Sequence, residues 1–392
     1  MAKSDGDHAS LFQSAPLPIA KLGPAETLAC LRLIRSENVG AVTFRTLINH
    51  YGGASRALQA LPELSRRGGG KRAIRLCSLE DAEAEMDAAQ RAGATPLFTI
   101  EPGYPAALAA IDAPPPLLYV KGRIDLLNRP SVAIVGSRQC SAAGHKLARL
   151  FAAGLSEAGF VVVSGLARGI DGIAHQTALP HGTVAVVAGG IDIIYPPEHA
   201  KLTEQIAVEG CLVSEQPPGF KPRAQDFPRR NRIISGMSLG VVIVEAAARS
   251  GTLVTARYAG EQGRDVFAVP GHPLDPRAEG TNRLIQQGAT LVVSPKDVIE
   301  LLKPMAGLSE TRFGLLMPEA VSTLPTSAEA HPPEVGEVIH EKILQALGPA
   351  PVDIDSVVRA TGLSIREVQI AVLELALAGR LSRPGPGLIS RS

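Results

Sequence analysis

Apolar and polar positions follow two rhythms along this chain, and the change near residue 95 divides it. Before that point apolar residues recur every three or four positions, the spacing of amphipathic helices. PAETLACLRLIRSENVG (24–40) reads as a helix closed by Gly40, and TFRTLINHYGGASRALQALPEL (43–64) continues helically after a short turn. An acidic, Ala-rich helix is predicted over Leu79–Ala92. Beyond Thr95 the texture becomes short, continuous Val/Ile runs alternating with helical segments. PLFTI (96–100) is a predicted strand, and YPAALAAIDAPPPLLYVKG (104–122) reads as a proline-punctuated connection. Strands then follow at SVAIVG (131–136), FVVVSG (160–165), TVAVVAGG (183–190), CLVSE (211–215), GVVIVEA (240–246), DVFAVPG (265–271) and TLVVS (290–294). Predicted helices near 142–158, 169–179, 197–209, 252–262, 280–287 and 295–303 separate or follow them.

Unbroken apolar strands are covered on both faces, which requires a parallel sheet, and strand–helix alternation winds helices over both sides. The fold class is therefore α/β, a doubly wound, extended Rossmann-like domain over residues 95–303. A small helical domain (21–92) precedes it, and residues 1–20 are expected to be a disordered tail. Two short helices around Asn38-Val39-Gly40 resemble a helix-hairpin-helix or sterile-alpha-motif-like unit, a plain helical packing unit being the alternative. Residues 304–335 carry Pro304, Pro318, Pro325, Pro332 and Pro333 without a period, as a linker does. Residues 336–392 pattern as a winged helix, with helices at 336–347, 353–360 and 365–378 before GRLSRPGPGLI. The would-be recognition helix, IREVQIAVLELALAG, sets Arg366 against Glu367 and Glu374 and is dense in Leu, Ile and Val. That composition points to protein contact or regulation rather than to a duplex groove.

Composition narrows the functions. A net charge of +1 over 392 residues means that any nucleic-acid site is a local basic patch. With no Trp and 4% aromatics, few stacking platforms exist. Cys30, Cys77, Cys140 and Cys211 lie far apart without C-x-x-C spacing, so no metal site or disulfide framework is expected and a reducing cytoplasm is. No apolar run reaches membrane-spanning length, and the polar N-terminus lacks a signal-peptide core.

In a doubly wound sheet ligands sit beyond the carboxyl ends of the strands. The distinctive loops fall there: VGSR, SGLARGID, AGGID, EAAARSGT, PGHPLD and, after the fourth strand of the series, SEQPPGFKPRAQDFPRRNR. Cations share that edge: Arg138, Arg168, Lys221, Arg223, Arg229, Arg230, Arg232 and Arg249. Residues 221–232 hold five basic side chains against Asp226 alone, a local charge of +4. Within DFPRRNRIISGMS (226–238), arginines beside Phe227 on a first helical turn suit a phosphate chain carrying bases. Glycine and serine turns at strand ends add backbone N–H donors and helix dipoles that favour anions. A dinucleotide cofactor is disfavoured, because the first turn reads GSRQCSAAG and the second strand of the series ends in SG without an acid. A P-loop is absent. Ser164, Asp171 and His175 lack a nucleophile elbow, and Asp171 and Asp192 read as helix or turn caps. No catalytic residue and no cofactor is assigned.

Five motifs in order, YPAALAAIDAPPPLLYVKG, VAIVGSR, SGLARGIDGIAH, FPRRNRIISGMS and SGTLVTA, resemble the bacterial DNA-processing protein A family (DprA, also called Smf). The resemblance spans about residues 100–300. It implies a non-enzymatic, single-stranded-DNA-binding recombination mediator, working as a homodimer, that protects incoming DNA during natural transformation and loads a RecA-type recombinase. The positions it implies for DNA binding are Gly136, Ser137, Arg138, Ser164, Gly165, Arg168, Phe227, Arg229, Asn231, Arg232, Ser250, Gly251 and Thr252. Arg230 joins them from the charge pattern alone. A second class stays open, a Rossmann-type nucleotide-processing enzyme such as a nucleotide phosphoribohydrolase. For it Glu245 is the sole acid at its strand end.

Overall fold

Four helices open the chain in the computed structural model, which describes residues 22–316, 336–348, 350–385 and 387–391. The expected tail at 1–20 and most of the expected linker lie outside them. Helix α1 (Pro24–Arg35) begins on a proline, whose fixed φ suits a first turn. Helix α2 (Ala41–Tyr51) stops at Gly52, and α3 (Ala54–Arg67) follows at once. In α4 (Leu79–Arg91) the Ser78 side chain accepts from the Asp81 N–H and caps the first turn. Leu31, Leu33, Phe44, Leu47 and Leu61 make the core of this unit. Glu85 of α4 accepts from Arg35 at 2.6 Å and also from the Tyr119 hydroxyl, tying the unit to the sheet that follows.

That sheet has nine strands: β1 (Thr95–Phe98), β2 (Leu117–Gly122), β3 (Ser131–Val135), β4 (Val161–Ser164), β5 (Thr183–Val187), β6 (Cys211–Ser214), β7 (Gly240–Ile243), β8 (Asp265–Ala268) and β9 (Thr290–Leu291). The order is β1-β2-β6-β5-β4-β3-β7-β8-β9, and neighbours from β6 through β9 pair in parallel. The short helix α5 (Ala106–Ala109) leads into β2, and α6 (Ala142–Glu157), α7 (Ile170–Ala178), α8 (Ala200–Glu209), α9 (Asp226–Met237), α10 (Thr252–Glu261), α11 (Glu279–Gln286) and α12 (Pro295–Leu316) make the crossovers and the exit. Successive side chains of a strand face opposite ways. Val132 and Ile134 accordingly pack with Phe151 and Ala174 of α6 and α7, whereas Ala133 and Val135 pack with Ile233, Met237 and Ala256 of α9 and α10.

One predicted connection is a strand. β2 lies inside 104–122 and runs antiparallel to both β1 and β6, with Tyr119 opposite Ser214. Its residues Leu117–Val120 are buried on both faces, Leu117 and Tyr119 in the core shared with the N-terminal unit and Leu118 and Val120 in the core beneath α9. The three prolines at 114–116 stop immediately before it, and they hid it in the sequence. Helix α12 also continues through Pro304 to Leu316, past the position where the linker is predicted to begin.

The C-terminal unit is a winged helix of α13 (Glu337–Ala346), β10 (Val352–Asp353), α14 (Ile354–Thr361), α15 (Ile365–Leu377), β11 (Leu381–Gly385) and β12 (Leu388–Arg391), its strands ordered β10-β12-β11. Helix α15, the recognition-type helix, opens with a Ser364/Glu367 capping box. It lies against α3 rather than on the surface: Leu373 and Leu377 join the core of the N-terminal unit, and Asn38 Nδ2 donates to Leu377 O at 2.9 Å.

Candidate nucleic-acid interface

Strand β3 has β4 on one side and β7 on the other, so crossovers diverge there and open a crevice beyond the strand ends. The glycine turn after β3 and the Ser250-Gly251-Thr252 turn after β7 meet in it. Thr252 Oγ1 donates to Gly136 O at 3.1 Å, and Ser250 Oγ lies 3.0 Å from Thr252 Oγ1. Glu245, also after β7, accepts from the N–H (2.9 Å) and hydroxyl of Ser141, the residue that caps α6. The carboxylate at this strand end, on which a hydrolase reading would rely, is thus holding two loops together.

The loop after β4 is fixed from below. Ser164 Oγ donates to Ile134 O at 2.6 Å and is fully buried, so it positions strand ends and faces no ligand. Asp171 Oδ2 accepts from Gly165 N (3.1 Å) and Ala167 N (3.4 Å), the capping role its sequence position predicts. Asp192 likewise accepts from Gly219 N at 2.8 Å. Gly169 has φ +71°, and a Cβ there would sit 2.3 Å from Ser137 O, so only glycine lets the two loops touch. Ser164, Asp171 and His175 form no triad, since His175 Nδ1 instead meets Thr183 Oγ1 at 2.7 Å.

Burial, reinforced by His199 and Arg230, lowers the His175 pKa from 6.5 to about 3. As pH falls below about 6.5 the unfolded chain therefore takes up a proton that the folded chain refuses. Stability should fall through that window by up to about 1.4 kcal/mol per pH unit. Asp171, raised by burial, works in the opposite sense, so the measurement compares urea denaturation of parent and His175→Gln across pH 4–7. The parent should lose stability more steeply on acidification.

The arginines divide sharply. Arg230, expected among the phosphate contacts, points inward and is 7% exposed. Its Nη1 donates to Gly165 O at 2.8 Å and to Val186 O, beside buried Asp171. Burial lowers its pKa to about 10 against the pull of Asp171. Gly165 is what admits it, since a Cβ there would lie 2.7 Å from Arg230 Nη2. The helical spacing of the sequence holds the same placement. Arg230 stands three, four and seven residues before Ile233, Ile234 and Met237, on the face that α9 buries. Arg232 is engaged too, pairing with Glu215 at 2.5 Å and donating to Ala113 O at 3.1 Å. Arg168 is exposed and paired with Glu198 at 2.7 Å. Asn231 Nδ2 reaches Gly251 O at 3.4 Å and pins α9 to the turn before α10.

What stays open at the edge is an aromatic step among cations. Phe227 is half-buried, with the Arg138 guanidinium carbon 5.5 Å from its ring centroid. Tyr195, from the loop after β5, meets it at 5.1 Å between centroids and 50° between planes, and is 46% exposed. The sequence reading missed Tyr195. Its signal was an aromatic directly before Pro196 and Pro197 in the loop after a strand, in a chain with few aromatics. Arg138, Lys221, Arg223, Arg229 and Arg249 are exposed on the loops of this edge and form no ion pair among the described residues. Among those residues no three His, Cys, Asp or Glu side chains group to hold a metal, and no helix is long and apolar enough to cross a membrane.

Fold and site together define a doubly wound α/β binding protein whose cationic, aromatic sheet edge faces solvent and which is flanked by a helical unit and a winged helix. The family described as DNA recombination-mediator protein A matches residues 95–303, a DprA-like N-terminal HHH domain matches 24–88, and a DprA winged helix domain matches 327–385. The chain belongs to the DNA-processing protein A (DprA/Smf) family. It is 39% identical to protein Smf of Synechocystis sp. over 74% of this chain and 77% of that one, and 41% identical to Escherichia coli Smf over 73% and 74%. The solved DNA processing protein A of Streptococcus pneumoniae superposes with a TM-score of 0.59 at 36% identity, covering 70% of this chain and 96% of that one. The Helicobacter pylori protein, described by its single-stranded DNA binding mode, gives 0.50 at 32% identity over 54% and 96%.

Proposed function

We propose that this protein binds single-stranded DNA along the sheet edge, without catalysing a reaction on it, and acts as a recombination mediator. The observation that carries the reading is the Tyr195–Phe227 step, open through Tyr195, beneath Arg138 and flanked by cations without an acidic partner among the described residues. Stacked aromatics take any unpaired base by its face, and arginines follow the phosphates, which together suit a single strand better than a duplex. The glycine and serine turns at 136–137 and 250–251 supply the backbone approach that phosphates need. The single-strand binding described for the Helicobacter pylori relative supports the same assignment. In the cell we assign the protein to protecting incoming DNA during natural transformation and to loading a RecA-type recombinase, as a cytoplasmic homodimer. Strand β9 ends the sheet with Leu291 exposed, an edge on which a second copy can pair.

Titration of the full chain with fluorescent oligo-dT and a matched duplex tests the reading, and the single strand should bind at least tenfold more tightly. Equal affinities would overturn it. Incubation with AMP and ATP should release no base and no phosphate; turnover that Glu245→Gln abolishes would favour a nucleotide hydrolase instead.

A further inference from the structure

A cleft of about 750 Å³, sharing no residue with the sheet edge, opens between the N-terminal helical unit and the winged helix. Four cations line it from both sides: Lys71 and Arg72 from the turn after α3, Arg380 from the turn after α15, and Arg391 from β12. None of its lining residues is acidic, and none is aromatic. Arg72 is paired with Glu37 at 2.5 Å. Arg380 makes one long hydrogen bond to Gly68 O at 3.5 Å, and among the described residues Lys71, Arg380 and Arg391 form no ion pair.

The interface that assembles these charges is held by other means. A Cβ at Gly68 would lie 2.1 Å from Glu374 O, so only glycine lets α3 and α15 approach at this distance. Asn38 and Ser65 both donate to Leu377 O, and Leu373 and Leu377 supply the apolar packing. Docking therefore forces like charges from two units together, and Coulomb repulsion opposes it unless an anion sits between them. Gly69 leaves the room: a Cβ there would meet Arg380 Nη1 at 2.7 Å.

We propose that this cleft binds an anion carrying two or more adjacent phosphates, and that the bound anion locks the winged helix onto the N-terminal unit. Guanidinium groups match phosphate oxygens two at a time. The volume suits a ligand of nucleotide size. With no ring to stack on, the site reads phosphates and ignores the base. Adjacent phosphates occur both in free oligophosphates and along a DNA strand, and the chemistry of recognition is shared.

Calorimetric titration of the full chain with tripolyphosphate, ATP and oligo-dT tests this, using the parent, Arg380→Ala/Arg391→Ala, Lys71→Ala and, as a control at the sheet edge, Arg138→Ala. Tripolyphosphate and ATP should bind the parent within a few-fold of each other and raise its melting temperature. The double variant should weaken both at least tenfold and abolish that rise. Lys71→Ala, an exposed change that spares the interface, should weaken them several-fold. If tripolyphosphate and ATP fail to bind but oligo-dT binding falls tenfold in the double variant, the phosphates come from the strand and the site stands. Tripolyphosphate or ATP binding that survives the cleft variants or disappears only in Arg138→Ala overturns the proposal, as does a protein that binds neither oligophosphate and whose oligo-dT affinity the double variant leaves unchanged.

Discussion

Replacing Arg230 with alanine should destabilise the fold by about 3–5 kcal/mol, because it leaves one half of a buried charged pair behind. The guanidinium is 7% exposed and satisfies Gly165 O and Val186 O, the carbonyls at the ends of two adjacent strands. It also faces Asp171, which is 6% exposed and whose carboxylate organises the loop after β4. Without Arg230, Asp171 keeps its burial and loses its counter-charge, and both carbonyls lose a donor. Urea denaturation should read the loss directly, and the melting temperature should drop by on the order of 10 °C. Arg230→Met, which retains most of the volume, should fare little better, since the missing donors and charge are what matter. An Arg230→Ala protein as stable as its parent, yet weaker for DNA with a flatter salt dependence, would show that the side chain faces phosphate after all.

Tyr195→Ala and Phe227→Ala should each weaken oligo-dT binding by about 1–3 kcal/mol, the range for a stacked base on an aromatic ring. The slope of log affinity against log salt should stay nearly unchanged, because neither ring neutralises a phosphate. Arg138→Ala and Arg229→Ala should do the reverse and flatten the slope by about 0.7 for each phosphate left without its cation, with all sequences weakened alike. Tyr195 is the cleaner test, since at 46% exposure its removal leaves the core intact. Phe227 is half-buried at the start of α9, so part of its effect belongs to packing and a lower melting temperature will register it. Arg232→Ala should leave the slope alone, since Glu215 and Ala113 O hold that guanidinium. Titrations at four or more salt concentrations separate these outcomes. Tyr195→Ala binding oligo-dT like the parent would remove the aromatic step from the site.

The parallel strands were legible because each is a continuous apolar run buried on both faces, a pattern needing no knowledge of neighbours. Strand β2 was not, because six residues behind a proline run have no signature until β1 and β6 flank them. The edge that gathers the candidate site was legible from the strand–helix alternation, since crossovers put every βα loop on one side of the sheet. Which arginine on that edge is free was read wrongly for Arg230, although the helical spacing to Ile233, Ile234 and Met237 held the answer. Tyr195 went unread because its partner is 32 residues away, and no periodicity joins a loop after one strand to a helix after the next.

By itself, then, the sequence determined the strand–helix alternation, the winding of the parallel core and the collection of glycine turns and cations at the carboxyl ends of its strands. Each of these depends on local spacing and on which residues avoid water. Only the tertiary structure decided that Arg230 is buried and Arg232 paired with Glu215 while Arg138 and Arg229 remain free, that Tyr195 joins Phe227, and that α15 is covered by α3. Those outcomes turn on which carbonyl, carboxylate or ring lies within a few ångströms in space, and charge pairing and packing fall off over that same short distance.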